Sequence, residues 1–205
     1  MKGFTEQENF WSSSFGDEYQ ERNKLVDLLP AKTSLFSEII QNTLSIKSFI
    51  EFGSNTGVNL IAIKNLIPSA NVSAVEINKK AVDVLKNLKI CKSIWHDSIL
   101  KFDKRNIADL SFTSGVLIHI NPEYLSKAYE ALYLSSKKYI LICEYYNPTP
   151  VSIEYRGHKN RLFKRDFAGD LLEKYPDLKL INYGFKYKND NNHPLDDVTF
   201  FLLKK

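Results

Sequence analysis

The sequence predicts an α/β fold: a doubly wound, mostly parallel sheet of seven strands with helices on both faces. Three observations carry that expectation. From residue 48 onward, short apolar runs alternate with amphipathic segments, as βα units do. The run Tyr139-Ile-Leu-Ile-Cys143 is continuously apolar, the pattern of a parallel strand covered on both faces. The segment Glu51-Phe-Gly-Ser-Asn-Thr-Gly57 sets two glycines where a strand should hand over to a helix.

The elements follow in order. Residues 1–47 read as helical and are expected to form an N-terminal cap on a main domain spanning 48–205. Asp17 to Leu29 is polar with late apolar residues, Pro30 should interrupt, and Leu35, Ile39, Ile40 and Leu44 share the next helical face. Ser48–Phe52 is the first strand, ended by Gly53. Val58–Ile67 is a helix apolar on more than one side, with Pro68 beyond its end. Val72–Glu76 is the second strand, and Asn78 is placed to cap a helix carrying Val82, Leu85 and Leu88. Ser93–Asp97 and Ala108–Thr113 are the third and fourth strands. Asn121-Pro122 reads as a cap followed by proline at the first helical position, and Leu125, Ala128, Tyr129 and Leu132 then keep helical spacing. Tyr139–Cys143 is the fifth strand. Asp166 can cap a helix bearing Ala168, Leu171, Leu172 and Tyr175, which Pro176 ends. Leu178–Lys186 and Val198–Leu203, joined by a loop through Lys188–Pro194, should form an antiparallel hairpin at the sheet edge.

A chain of 205 residues can bury one substantial core, and 43% hydrophobic with 25% charged residues is an ordinary globular balance. Lys2, Glu6 and Glu8 interrupt the N-terminus with no apolar run, so no secretory signal is expected, nor a membrane span. The two cysteines, Cys91 and Cys143, lie in strand-like contexts and read as free thiols, consistent with the cytoplasm. No Cys/His cluster has metal-ligand spacing, so no metal is expected. The net charge of +4 is spread thinly except in Arg156–Arg165, where five of ten residues are Lys or Arg.

The glycine loop indicates a ligand. Gly53 permits a tight turn, and Gly57 lets the following helix begin close to the strand. The helix N-terminus then offers free N–H groups. Glu76 ends the next strand 19 residues after Gly57 (76 − 57), where an acid accepts hydrogen bonds from ribose hydroxyls. A pyrophosphate-binding loop needs glycine at the middle position, and here that position is Asn55. A nucleoside without phosphates fits better, and Glu51 suits the ammonium of an amino-acid moiety.

Glu51–Leu60 resembles motif I of class I S-adenosylmethionine-dependent methyltransferases, and Val75-Glu76-Ile77 resembles motif II. His96-Asp97-Ser98 is similar to the segment that contacts adenine, and Asp109–His119 to motif IV and the residues after it. The likeness spans about residues 48–145. It implies a Rossmann-like sheet in the order 3-2-1-4-5-7-6 with the last strand antiparallel. It also implies S-adenosylmethionine as cofactor, with S-adenosylhomocysteine as product. Carried over by position, the cofactor contacts would be Glu51, Gly53, Ser54, Asn55, Gly57, Glu76, Ile77, Asp97, Ser98 and Ser114. Phe10–Asn23 and Leu162–Gly169 resemble the pseudaminic acid biosynthesis-associated methylase family. That narrower resemblance implies a small acidic or carbohydrate-type acceptor, such as an acidic sugar or sugar nucleotide, in nonulosonic acid or surface-glycan biosynthesis. Tyr19 and Arg22, at i and i+3, share a helix face and either close over the cofactor or simply pack inward.

Methyl transfer asks the protein mainly to align nucleophile, carbon and sulfur and to exclude water. Ligands of doubly wound sheets sit beyond the carboxyl ends of the strands. His119, just past strand four, is either a general base or a packed structural residue. Glu144, ending strand five, is a base or a hydrogen-bond acceptor. Tyr145, Tyr146, Asn147 and Tyr155 follow in the same region. Arg156, Arg161 and Arg165 either hold an acidic substrate or belong to a solvated loop. Asn147-Pro-Thr-Pro150 is similar to the motif of base-modifying amino methylases but lies after strand five and lacks the aromatic residue. A nucleic-acid partner is therefore not expected. A protein or nucleic-acid methyltransferase and a non-catalytic S-adenosylmethionine-binding protein remain alternatives, and nothing in the sequence fixes an oligomeric state.

Overall fold

The computed structural model describes residues 3–22 and 25–205. Among the described residues three helices precede the sheet: α1 (Glu6–Ser12), α2 (Ser14–Arg22) and α3 (Leu25–Ile40). Thr5 and Glu8 form a capping box that starts α1. Pro30 does not interrupt the helix, contrary to expectation. It lies in the second turn of α3, where one ladder bond is forgone, and Leu35, Phe36 and Ile39 behind it are fully buried against the sheet.

The sheet then alternates with helices: β1 (Ser48–Phe52), α4 (Val58–Leu66), β2 (Asn71–Glu76), α5 (Lys79–Leu88), β3 (Cys91–His96), β4 (Ala108–Ser114), α6 (Leu125–Ser135), β5 (Ser136–Glu144). Asn78 caps α5 through the Ala81 N–H at 3.0 Å. Asn121 caps a short 3-10 turn, Pro122–Tyr124, that leads into α6.

After β5 the chain departs from expectation. Residues 151–164 are not a loop but a hairpin outside the main sheet, β6 (Val151–Tyr155) with β7 (His158–Lys164). Its turn is Arg156-Gly157, both at positive φ (50° and 82°), the backbone that a two-residue hairpin connection requires. Next come α7 (Phe167–Lys174), capped by Asp166, then β8 (Lys179–Lys186) and β9 (Val198–Lys204).

The seven-stranded sheet runs β3-β2-β1-β4-β5-β9-β8. Leaving the small hairpin aside, this is the expected order 3-2-1-4-5-7-6. β9 pairs antiparallel with both neighbours, and the other pairings are parallel. One face buries Leu35 and Phe36 of α3, Leu60 and Ile63 of α4 and Leu85 of α5. The opposite face buries Leu125 and Leu132 of α6 with Phe167 and Leu171 of α7. Both cysteines are free thiols, Cys143 buried and Cys91 half-buried. Among the described residues no helix is long and apolar enough to cross a membrane.

Candidate functional site at the carboxyl ends of the strands

A cavity of about 400 Å³ opens where β1, β2, β3, β4 and β5 end. Three of those strand ends build one half of it. After β1, Gly53 has φ 73° and Gly57 φ 83°. A Cβ on Gly53 would sit 2.4 Å from Val116 Cγ2, and one on Gly57 2.8 Å from Leu85 Cδ2. Gly57 is also the N-cap of α4, so the loop lies tightly on its neighbours, but Gly57 itself does not line the cavity.

Glu76 ends β2 and is buried. Its two carboxylate oxygens accept from the Asn55 and Asn78 backbone N–H groups, each at 2.7 Å. Burial raises its pKa against those bonds. Beyond β3, Asp97 accepts from Ser98 N–H at 2.8 Å, and Ile99 and Leu100 add apolar wall beside Ile77. Glu51 stands one layer below: it is wholly buried, does not itself line the cavity, and accepts from Asn59 Nδ2, which does. Glu51 Oε2 and Asn59 Oδ1 are buried without hydrogen-bond partners. Desolvation pushes the Glu51 carboxyl up to about 8, with Asn59 and Lys32 opposing.

The other half of the cavity belongs to β4, β5, the N-terminal helices and the hairpin. Lys32 of α3 donates to Ser114 Oγ at 3.1 Å. Glu144 accepts from Val116, Leu117 and Ile118 N–H at 3.0, 3.1 and 3.4 Å, so it fastens the 3-10 turn Leu117–His119. Burial pushes its carboxyl up to about 7. His119 Nδ1 lies 2.6 Å from the Arg161 carbonyl oxygen. A carbonyl only accepts, so the proton sits on Nδ1 and Nε2 keeps its lone pair. Desolvation lowers the His119 pKa to about 4, leaving a neutral ring. That ring packs against Trp11 (centroids 4.5 Å) and Tyr155 (5.0 Å), and Trp11 in turn meets Tyr19 (5.3 Å).

The cavity thus gathers Gly53, Ser54, Asn55, Glu76, Ile77, Asp97, Ser98 and Ser114 with Tyr19, His119, Glu144, Tyr145, Tyr155 and Arg156. Four residues expected at the acceptor end stand elsewhere. Arg165 is clamped to Asp170 at 2.8 Å, because the hairpin carries it toward α7. Arg161 pairs with Glu6 of α1 and lies over the Phe10 ring at 4.9 Å. Tyr146 packs on Phe201, and Asn147 turns back onto Thr149. The side chain of Arg22 lies outside the described residues. Other wall residues are not marked by a sequence motif: Glu8 and Trp11 of α1, Lys32 of α3, Asn59 of α4, and Lys188, Pro194, Leu195 and Asp196 from the β8–β9 loop. Only Asn59 left a local signal, two residues into the helix after Gly57. The rest converge through tertiary packing.

No family model matches the chain. Over 93 residues, 45% of the chain, it is 29% identical to the release factor glutamine methyltransferase of Fusobacterium nucleatum subsp. nucleatum; it spans about a quarter of that protein's length (26%). It is similar in structure to 1,6-didemethyltoxoflavin-N1-methyltransferase of Burkholderia thailandensis, which holds 1,6-didemethyltoxoflavin and S-adenosylhomocysteine. That superposition has a TM-score of 0.71 at 11% identity, covering 97% of this chain and 86% of the other. Magnesium protoporphyrin IX methyltransferase of Synechocystis PCC 6803, with bound S-adenosylmethionine, gives 0.69 at 11% identity over 100% of both chains. The chain has the class I S-adenosylmethionine-dependent methyltransferase fold.

Proposed function

We propose that this protein binds S-adenosylmethionine in the cavity and transfers its methyl group to a small-molecule acceptor. The observation that carries the reading is Glu76. It is a buried carboxylate at the end of β2, oriented by two backbone N–H groups, with lone pairs left for a diol. The surrounding residues fit the same ligand. The turn at Gly53 and Gly57 keeps the loop low, and Ile77, Ile99 and Leu100 suit a flat base beside Asp97 and Ser98. Asn59 lines the cavity with an unpartnered Oδ1, an acceptor for an ammonium, and Glu51 backs it from one layer below.

The bound sulfonium supplies an electrophilic methyl carbon; the acceptor's lone pair takes it as the carbon–sulfur pair passes to sulfur. The chain's own part is placement. Glu144, by holding the Val116–Ile118 backbone, positions the turn that carries His119. His119 presents an unprotonated Nε2, able to receive a proton from an acceptor N–H or O–H. Tyr19 and Trp11, from α2 and α1, shield that end from water. We assign α1 and α2 the part of a cap, within the 1–47 segment.

A carbohydrate or other acidic acceptor is a second reading, favoured by one observation: Arg156 lines the cavity. A place in nonulosonic acid or surface-glycan biosynthesis rests on the sequence resemblance alone.

The test is calorimetric titration with S-adenosylhomocysteine. Saturable binding is expected, and Glu76→Ala should weaken it about tenfold or more, since two charge-assisted hydrogen bonds of roughly 1.5–3 kcal/mol each are at stake. A folded wild-type protein that does not bind, or a variant that binds as tightly, overturns the reading.

A further inference from the structure

We infer that the methyl acceptor is a planar aromatic or heteroaromatic molecule carrying an N–H or O–H group, held against the ring wall of Trp11, His119 and Tyr155. This rests on the cofactor reading above and names the acceptor class of the same cavity.

The wall is continuous. Trp11 and His119 centroids are 4.5 Å apart, His119 and Tyr155 5.0 Å, and Arg156 lies over the Tyr155 ring at 5.8 Å. All four line the cavity, and such surfaces bind flat rings by offset or edge-to-face stacking. The charges point away from a polyanion. Carboxylates of Glu8, Glu76, Asp97, Glu144 and Asp196 line the cavity. Of the three lining cations among the described residues, Lys32 is bonded to Ser114, Lys188 faces Asp197 at 3.5 Å and Arg156 lies over the Tyr155 ring. Two of the three arginines expected for an acidic ligand are committed to Glu6 and Asp170.

The same wall carries polar atoms without partners. Glu8 is 8% exposed, and its Oε1 has no hydrogen-bond partner, nor has Trp11 Nε1. Buried polar atoms of this kind call for a partner. One acceptor and one donor on α1, with the lone pair of His119 Nε2 in the same wall, match a ring whose edge offers both N–H and carbonyl or imine groups. In the transfer, the ring's nitrogen or oxygen lone pair forms the bond to the methyl carbon. The carbon–sulfur pair leaves with sulfur, and the displaced proton passes to His119 Nε2.

Fluorescence tests this without turnover. The chain has two tryptophans, Trp11 and Trp95, and Trp95 does not line the cavity. In Trp95→Phe, Trp11 is the reporter. With S-adenosylhomocysteine saturating, dopamine and xanthine are titrated against N-acetylneuraminic acid and glucuronic acid. At least one ring compound should quench Trp11 saturably. Tyr155→Leu should weaken that binding at least tenfold, Tyr155→Phe should retain it, and both should keep the S-adenosylhomocysteine affinity. Quenching by no ring compound, saturable binding of the acidic sugars alone, or indifference to Tyr155→Leu overturns the inference and leaves the cofactor reading standing. Failure of S-adenosylhomocysteine itself to bind overturns the cofactor reading instead.

Discussion

Buried carboxylates and one buried imidazole give the site its electrostatic character, and each has a consequence for stability. The ordinary carboxyl value of 4.5 is pushed up to about 8 at Glu51 by desolvation. The folded state therefore holds that proton more tightly than the unfolded chain. The stabilising contribution is complete below about pH 4.5 and is lost as pH rises through about 8. Denaturant unfolding should show Glu51→Gln gaining on the wild type across that window; a constant difference from pH 4.5 to 8 would mean the carboxyl is not desolvated. His119 works in the opposite sense. Its value falls from 6.5 to about 4, so the neutral ring stabilises the fold above about pH 6.5 and that contribution is lost as pH falls through about 4. Melting curves of His119→Gln should therefore change less between pH 6.5 and 4 than those of the wild type. The glycine loop carries a steric prediction. Gly53→Ala meets both a left-handed backbone at φ 73° and Val116 Cγ2 at 2.4 Å. It should cost roughly 1–3 kcal/mol from the backbone alone, read as a lower denaturation midpoint.

At the scale of elements, the N-terminal helices and the extra hairpin hold each other. Glu6 pairs with Arg161, Gln7 Nε2 donates to Asn160 O at 3.2 Å, and Phe10 meets His158 at 5.0 Å. Asp17 of α2 reaches Asn78 Nδ2 at 2.9 Å and Lys80 at 2.7 Å. Arg161→Ala should accordingly speed amide exchange over residues 6–12. Arg165→Gln, removing a part-buried pair with Asp170, should cost roughly 1–3 kcal/mol and leave acceptor binding unchanged. Equal effects of the two variants on α1 would contradict this division of roles. The βα alternation, Asn78, Asn121 and Asp166 were all legible in the sequence, because caps and buried parallel strands depend on local pattern. The hairpin was legible in principle, since Val151, Ile153 and Tyr155 alternate ahead of Arg156-Gly157, but its dense charge reads as a loop. The fate of Arg161 was not legible. Nothing local says that Arg161 will find Glu6, 155 positions away; Arg165 turns to Asp170, only five positions on, once Asp166 starts α7.

For the whole molecule, the decisive feature is that the cavity draws its walls from residue 5 to residue 198. The glycine loop, the N-terminal helices, the hairpin turn and the β8–β9 loop are far apart in the sequence and all border it. A ligand that fills the cavity therefore touches all four segments at once. Binding to the folded state alone stabilises it by about 2.7 kcal/mol at a ligand concentration 100 times Kd. For a domain of this size each kcal/mol raises Tm by about 2–4 °C, so S-adenosylhomocysteine should raise Tm by roughly 5–11 °C. Glu76→Ala, binding about tenfold more weakly, should keep only about 1.4 kcal/mol at the same concentration. Amide exchange should slow in the glycine loop and in the distant walls alike, from α1 and α2 to residues 188–198. Protection confined to residues 53–59, or a Tm shift that Glu76→Ala does not diminish, would mean that the ligand sits elsewhere and that these convergent walls serve packing alone.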